Sequence, residues 1–255
     1  MTRGNVPVLV SCIACVSACA NAAVLYDAGN GTLPGAPVWT YQVMTNPPGG
    51  AIETTQSVGG GVTTLDSTAE VSEYAGCYTA WPLIDSLDRA AGYTVGLSLR
   101  IREESHLSDD RAGFSVIVLS SDLQGIELGF WADCIWAQND SPIFTHGEQA
   151  DYDTTAAMVR YDLAILDDAY SLWADGSRIL SGSLRDYTAW SGPIDPYETP
   201  SFLFFGDDTS SACAQSEIAL IELLDYPVPE PACLAILGLA AMLHLGRCSV
   251  RLRAP

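Results

Sequence analysis

Alternation of apolar and polar residues runs through the middle of this chain. In the stretch YTVGLSLRIRE the polar positions face one side, and the other side is formed by Tyr93, Val95, Leu97, Leu99 and Ile101. This period of two is typical of a half-buried strand. The next run, GFSVIVLSS, is apolar at both sets of positions, which indicates an inner strand of a sandwich.

Turn residues separate about ten such runs. Asp175-Gly176 lies between two alternating segments and predicts a tight hairpin, because both residues tolerate the positive φ angles of a type I′ turn. Periodicity typical of helices is nearly absent, and no internal repeat occurs. We therefore predict an all-β fold for residues 23–226, a single antiparallel two-sheet β-sandwich, in which the polar residues 137–155 form a loop.

The N-terminal segment 1–22 has the pattern of a secretory signal peptide. One positive charge precedes an apolar run, and Ala20-Asn21-Ala22 forms an A-x-A cleavage site. Export places the remaining chain in an oxidising compartment. Cys19 ends a short motif similar to a bacterial lipobox, so lipidation at that residue is the alternative to ordinary cleavage.

The C-terminal segment 227–255 has three parts. Pro229 and Pro231 precede an apolar stretch that ends near Leu245, and a basic end follows. As a helix the apolar stretch reaches about 20 Å, less than the about 30 Å hydrocarbon core of a bilayer. We therefore expect an apolar helix that contacts the membrane only transiently. The basic residues are Arg247, Arg251 and Arg253.

This tail resembles the PEP-CTERM sorting signal of exported bacterial proteins. The motif Val228-Pro229-Glu230-Pro231, the apolar stretch and the arginines stand in the order of that family. The resemblance implies processing by an exosortase-type protease near the motif, with delivery to the cell surface or extracellular matrix. Residues 228–255 alone carry this resemblance.

The body is similar to the concanavalin A-like, laminin-G-like lectin and glucanase sandwich, a jelly roll. The resemblance lies in the order of the segments YTVGLSLRI, GFSVIVLSSD, RYDLAILDDAYSLWADGSRILSG, FLFFGDDTSSA and IALIELL. Glucanases of this fold carry an E-x-D-x-x-E strand motif, whose alternation aims two carboxylates into one cleft. That motif does not occur in this sequence, and neither does the G-x-S-x-G elbow of hydrolases.

Charge excludes one class of partner. The net charge is −20, and 30 of the 31 acidic residues lie between Val24 and Tyr226 together with 7 of the 11 arginines. Nucleic-acid recognition needs a basic surface that this body does not have. We expect no nucleic-acid partner and a strongly solvated acidic surface.

Cysteine and acidic residues suggest two stabilising features. The body contains Cys77, Cys134 and Cys213, which permit one disulfide, and we predict Cys134 with Cys213 from among the three pairings. No cofactor is required. Calcium is a candidate ligand at Asp207 and Asp208, because hard cations bind clustered oxygen atoms; turn-forming aspartates explain the same residues.

Aromatic residues beside carboxylates suggest a ligand surface. Sugar rings combine apolar faces with hydroxyl rims, which suit such residues. The candidates are Trp131, Asp133, Trp136, Trp190 and Tyr197. Our first hypothesis is therefore a non-catalytic exported surface or matrix protein that binds extracellular polysaccharide. The alternatives are a secreted glycoside-active enzyme on the same fold and a purely structural matrix component.

Overall fold

Fifteen strands and one 3-10 turn form the body of the protein. A computed structural model describes residues 22–192 and 195–227. The strands are β1 (Ala22–Asp27), β2 (Thr40–Thr45), β3 (Thr55–Gly59), β4 (Val62–Asp66), β5 (Glu73–Ala80), β6 (Tyr93–His106), β7 (Ser115–Leu119), β8 (Gly125–Phe130), β9 (Cys134–Asp140), β10 (Ile143–Asp151), β11 (Val159–Leu166), β12 (Ala169–Ala174), β13 (Ser177–Ser183), β14 (Phe202–Asp207) and β15 (Ala212–Leu224), and the 3-10 turn is Ala28–Asn30.

The strands form two antiparallel sheets that pack face to face. Sheet 1 has the order β13-β12-β11-β6-β15-β4-β3, with β1 also paired to β15. Sheet 2 has the order β10-β9-β8-β7-β14-β5-β2. The predicted all-β, two-sheet antiparallel sandwich is confirmed.

The core residues of β6 are those that the alternation of apolar and polar side chains predicted. Tyr93, Val95, Leu97, Leu99 and Ile101 of β6 are all buried between the sheets. In β7 every residue is buried, which confirms an inner strand. Val116 and Val118 point into the core between the sheets, whereas the other face of β7 is covered by a second apolar cluster.

The predicted hairpin is also confirmed. Asp175 and Gly176 have φ angles of 46° and 79°, both in the left-handed region that a type I′ turn requires. They connect β12 to β13, and β11 pairs with β12 on the other side, which gives three consecutive strands of sheet 1.

The prediction of a loop at residues 137–155 is wrong. Most of this stretch forms β9 and β10, which pair antiparallel at the edge of sheet 2. The polar side chains misled the prediction because they belong to strands: Gln138 is 1% exposed although it is polar. The sequence pattern assumes that polar strand positions face solvent, and here the protein covers them.

Both ends of the body meet in one pair of strands. Ala22, in the predicted cleavage site, begins β1 and lies opposite Leu224 of β15. The remaining features of the predicted signal peptide and sorting tail, including Ala20 and residues 228–255, lie outside the described residues. Over the part of the chain that the structure covers, no helix is long and apolar enough to cross a membrane.

Candidate active site

The outer face of sheet 2, which points away from the core, carries an unusual set of side chains. In β8, Ile126 and Leu128 point into the core, so the residues between and after them, Glu127 and Gly129, lie on the outer face. Ser115 of β7 pairs with Gly129 and lies on the same face. Glu127 is therefore an acidic residue at the centre of sheet 2.

Glu127 forms a buried carboxyl pair with Asp208. The side chain of Glu127 hydrogen-bonds Asp208, which follows β14 and also accepts a hydrogen bond from the hydroxyl of Ser115. Glu127 is only 2% exposed, whereas Asp208 is half-buried.

Two tyrosines hold Glu127 in place. The hydroxyl of Tyr197 donates a hydrogen bond to Oε2 of Glu127. The backbone N–H of Glu127 donates to the hydroxyl of Tyr187 at 3.2 Å, and that hydroxyl donates in turn to the carbonyl of Gln138 at 2.7 Å. The carboxyl group is thus fixed from its side chain and from its backbone.

Burial sets the protonation of the pair. Burial raises the pKa of Glu127 well above its usual range, and the nearby charge of Asp208 raises it further. Burial also raises the pKa of Asp208, but the guanidinium of Arg111 opposes that effect. Two neighbouring carboxyl groups cannot readily both ionise, so Glu127 keeps its proton and donates it in a hydrogen bond to Asp208.

Aromatic side chains surround this pair. Phe144 of β10 lies 5.9 Å from Tyr197 and 5.6 Å from Trp190 between ring centroids, and Arg111 lies over the Phe144 ring at 4.3 Å. The Trp136 indole covers Gly129, since a Cβ atom added there would meet it at 2.7 Å. Only a residue without a side chain permits this approach.

The structure brings four of the five predicted ligand residues to the same face. Trp131 lies 5.8 Å from Trp136, and Trp190 lies 5.7 Å from Tyr197. Trp136 and Tyr197 are buried, so their rings are covered by other residues. Asp133 is exposed in the turn between β8 and β9 and does not join the group.

The predicted calcium residues, Asp207 and Asp208, lie at the end of β14 and directly after it. Calcium binding by this pair stays a prediction. Asp207 is buried and accepts a hydrogen bond from Oγ of Ser67 at 2.6 Å and one from the N–H of Thr209 at 3.1 Å. Among the residues described, no group of three His, Cys, Asp or Glu side chains could hold a metal ion.

The predicted disulfide between Cys134 and Cys213 is wrong. Cys134 begins β9 of sheet 2, and Cys213 lies in β15 of sheet 1. Both are buried free thiols, and so is Cys77.

Sequence reasoning missed Glu127, Ser115 and Arg111. The available signal was the single acid in the apolar strand GIELGF, which alternation places on the face away from Ile126 and Leu128. The search for a glucanase motif looked for acids along one strand, whereas this pair joins β8 to the residue after β14.

Solved structures share this architecture. A carbohydrate esterase from the Shiga toxin-encoding bacteriophage phi24B has a TM-score of 0.50 and 14% identity, over 80% of this chain and 99% of that chain. An endo-1,3-beta-glucanase from Streptomyces sioyaensis has a TM-score of 0.48 and 11% identity, over 80% and 96% of the two chains. The body has the concanavalin A-like sandwich fold. No protein-family model and no curated protein matches the sequence.

A further similar structure is the catalytic domain of an endo-1,3-beta-glucanase from Thermotoga petrophila RKU-1, with a TM-score of 0.47 and 12% identity, over 80% and 98% of the two chains. These sandwiches are described as enzymes that act on carbohydrates. The prediction of a non-catalytic binding protein is therefore wrong.

Proposed function

We propose that this protein is a carbohydrate-active hydrolase in which Glu127 and Asp208 are the catalytic carboxyl groups. The observation that carries the proposal is the hydrogen bond between these two groups on the outer face of sheet 2, away from the packed core. Buried carboxyl pairs with separated roles are a common basis of acid–base catalysis.

The two carboxyl groups differ in environment, which assigns their roles. The guanidinium of Arg111 favours the charged form of Asp208, which is the carboxylate that takes a proton from an attacking water molecule. The proton that Glu127 shares with Asp208 then passes to the oxygen of the leaving group. One proton is taken and one is returned, so the pair ends in its starting state.

The closeness of the two carboxyl groups supports action from one side of the substrate. Glycosidase carboxylates that flank a bond stand about 5 Å or more apart, whereas hydrogen-bonded carboxyl groups are closer than that. Glu127 and Asp208 therefore act together from one side of the scissile C–O bond, as a dyad that shares a proton.

The surrounding residues support a carbohydrate substrate. Phe144 and Trp190 are half-buried aromatic residues that contact Tyr197, the donor to Glu127, and half-buried Trp131 lies against Trp136. The bacteriophage protein of the same fold is described as a carbohydrate esterase. Both ester and glycosidic C–O bonds of polysaccharides therefore belong in the substrate test.

The test is a turnover assay with matched variants. The purified protein is incubated with β-1,3-glucan, with other polysaccharides and with their acetylated forms, and released reducing ends and acetate are measured. Glu127→Gln and Asp208→Asn are each expected to abolish turnover. Glu103→Gln, at an exposed position of β6, is the control and should retain it. Turnover that survives both carboxyl substitutions would reject the assignment.

Export and sorting complete the proposal. The pattern of residues 1–22 and the three-part tail 227–255 support an exported protein that an exosortase-type protease releases to the cell surface or matrix, where its polysaccharide partner lies. The mass of the mature protein tests this. Loss of both end segments is expected, and a mature chain that retains Met1 and Pro255 would contradict it.

A further inference from the structure

The first half of β10 crosses the site in an irregular conformation. We name residues 143–147 the strap. The strap pairs only with β9, at the edge of sheet 2, and its register shifts on both sides of His146. Phe144 has a φ angle of 59°, in the left-handed region that a bulky residue rarely adopts. Regular ladder hydrogen bonds therefore hold the strap less firmly than the inner strands.

The side chains of the strap cover the outer face of sheet 2. The His146 ring stacks on the Trp136 indole, with centroids 4.2 Å apart. Phe144 contacts Tyr197, which is the residue that hydrogen-bonds Glu127. The strap therefore lies against Trp136 and against the tyrosine that hydrogen-bonds Glu127.

Few polar contacts fasten the strap to the rest of the protein. The N–H of His146 donates to Oδ1 of Asp110 at 2.7 Å, and Nδ1 of its ring lies 2.8 Å from the carbonyl oxygen of Asp109. Arg111 also contacts the ring of Phe144, and these three contacts come from the short segment 109–111 that precedes β7. On the other side, Nδ2 of Asn139 in β9 donates to Oγ1 of Thr145 at 3.3 Å and to the carbonyl oxygen of His146 at 3.1 Å.

Polar atoms beneath the strap have no hydrogen-bond partner. In the described part of the chain, Nε1 of Trp136, Nε2 of Gln138 and Nε2 of His146 are buried and unpaired. Trp136 and Gln138 are 0% and 1% exposed, so the surrounding protein shields them from solvent. A buried donor without a partner raises the free energy of the covered state.

We propose that the strap lifts from the outer face of sheet 2 and so opens the site. Lifting breaks the hydrogen bonds of the strap to Asp110 and Asn139 and its ring contacts with Trp136, and it gives the three nitrogen atoms access to water or to the hydroxyl groups of a substrate. The inference rests on the proposed function for its biological meaning, because it explains how a substrate reaches a carboxyl pair that is covered in this structure. The motion itself can be measured without any substrate.

The experiment follows exchange of indole N–H protons with D₂O by NMR on the full protein. Trp136 lies under the strap, and Trp39 is the internal reference, because it is buried in the core and donates to the carbonyl of Leu25 at 2.9 Å. We expect the Trp136 indole proton to exchange more than about tenfold faster than that of Trp39. Equal protection of the two indoles would overturn the proposal.

A pair of variants separates strap opening from general unfolding. Asp110→Ala removes the acceptor for His146, whereas Asp109→Ala leaves the backbone carbonyl that His146 contacts. Asp110→Ala should speed Trp136 exchange severalfold and leave Trp39 unchanged, and Asp109→Ala should change neither. Parallel acceleration of both indoles would count against a local motion. If the protein proved catalytically inactive, the proposed function would fall while the exchange result would still decide the strap.

Discussion

Tyr197 donates a hydrogen bond to Glu127, and this contact joins the segment before β14 to the centre of sheet 2. The two residues are 70 positions apart in sequence. Glu127 lies between this donor and its acceptor, Asp208, so its carboxyl group is satisfied on both sides although it is buried. A buried polar group without such partners would be destabilising.

Removal of the Tyr197 hydroxyl should therefore weaken the fold. Tyr197→Phe leaves one oxygen of Glu127 without a donor, and we expect a loss of about 1–3 kcal/mol in the free energy of unfolding. Urea denaturation measures it. Tyr74→Phe, on the same sheet at a half-buried position, is the control and should change stability by less than about 0.5 kcal/mol. Equal effects of the two substitutions would contradict a specific role for Tyr197.

The protonated state of Glu127 predicts a pH dependence. Its pKa is raised in the folded protein, so the stability that its protonated form contributes is present below the unfolded value and is lost as pH rises towards the folded value. Glu127→Gln keeps a neutral donor at this position and removes that loss. The variant should show a shallower decline of unfolding free energy from pH 5 to 8, by up to about 1.4 kcal/mol per pH unit.

Urea titrations at several pH values measure this slope. Other buried acids, including Asp207 and Glu104, also have raised pKa values and should leave part of the decline in place. Glu103→Gln should follow the original protein at every pH. If Glu127→Gln also ran parallel to it, Glu127 would be ionised in the folded state.

Close packing at Gly129 predicts a steric effect. A Cβ atom there would meet Cε2 of Trp136 at 2.7 Å, within a buried region that cannot easily give way. Gly129→Ala should cost about 1–3 kcal/mol of stability and change the near-ultraviolet circular dichroism of the indole. Gly59→Ala is matched to it in the strand β3, where a Cβ atom would meet nothing within 4 Å. A harmless Gly129→Ala would show that the indole does not lie over this position.

Chemical modification tests directly whether the three cysteines of the body are free thiols. Cys77, Cys134 and Cys213 are free and buried, so alkylation should fail on the folded protein and modify all three after denaturation without reductant. Burial also raises the pKa of Cys77 to about 12 and that of Cys134 to about 11, which keeps both as unreactive thiols. Peptide mapping by mass spectrometry measures the result. A peptide pair linked through Cys134 and Cys213 would contradict the structure.

Local pattern was sufficient to predict much of the sandwich. The apolar side of β6 and the turn at Asp175 follow from side-chain alternation and from backbone conformation, both of which are encoded in a few neighbouring residues. The same reasoning failed at β9, where Gln138 looks solvent-exposed but is covered by another part of the chain.

The carboxyl pair could not be predicted for a related reason. Glu127 and Asp208 come from strands that are distant in sequence, with β7 between them in the sheet. Pattern analysis can predict on which face of a strand an acid lies. It cannot predict that Asp208 lies beside Ser115, because that depends on the path of the chain after β14.

The pairing of β1 with β15 has a consequence for how the protein can be held. Ala22 lies opposite Leu224, so both ends of the body leave the sandwich side by side. β14 begins with Phe202, which lies beside Ala80 and Leu119, and it runs towards the other end of the sandwich. Asp208 follows β14 at that far end. A tether, a tag or a surface attached at either terminus would therefore hold the protein at the same end of the sandwich. The approach to Asp208 would stay unobstructed.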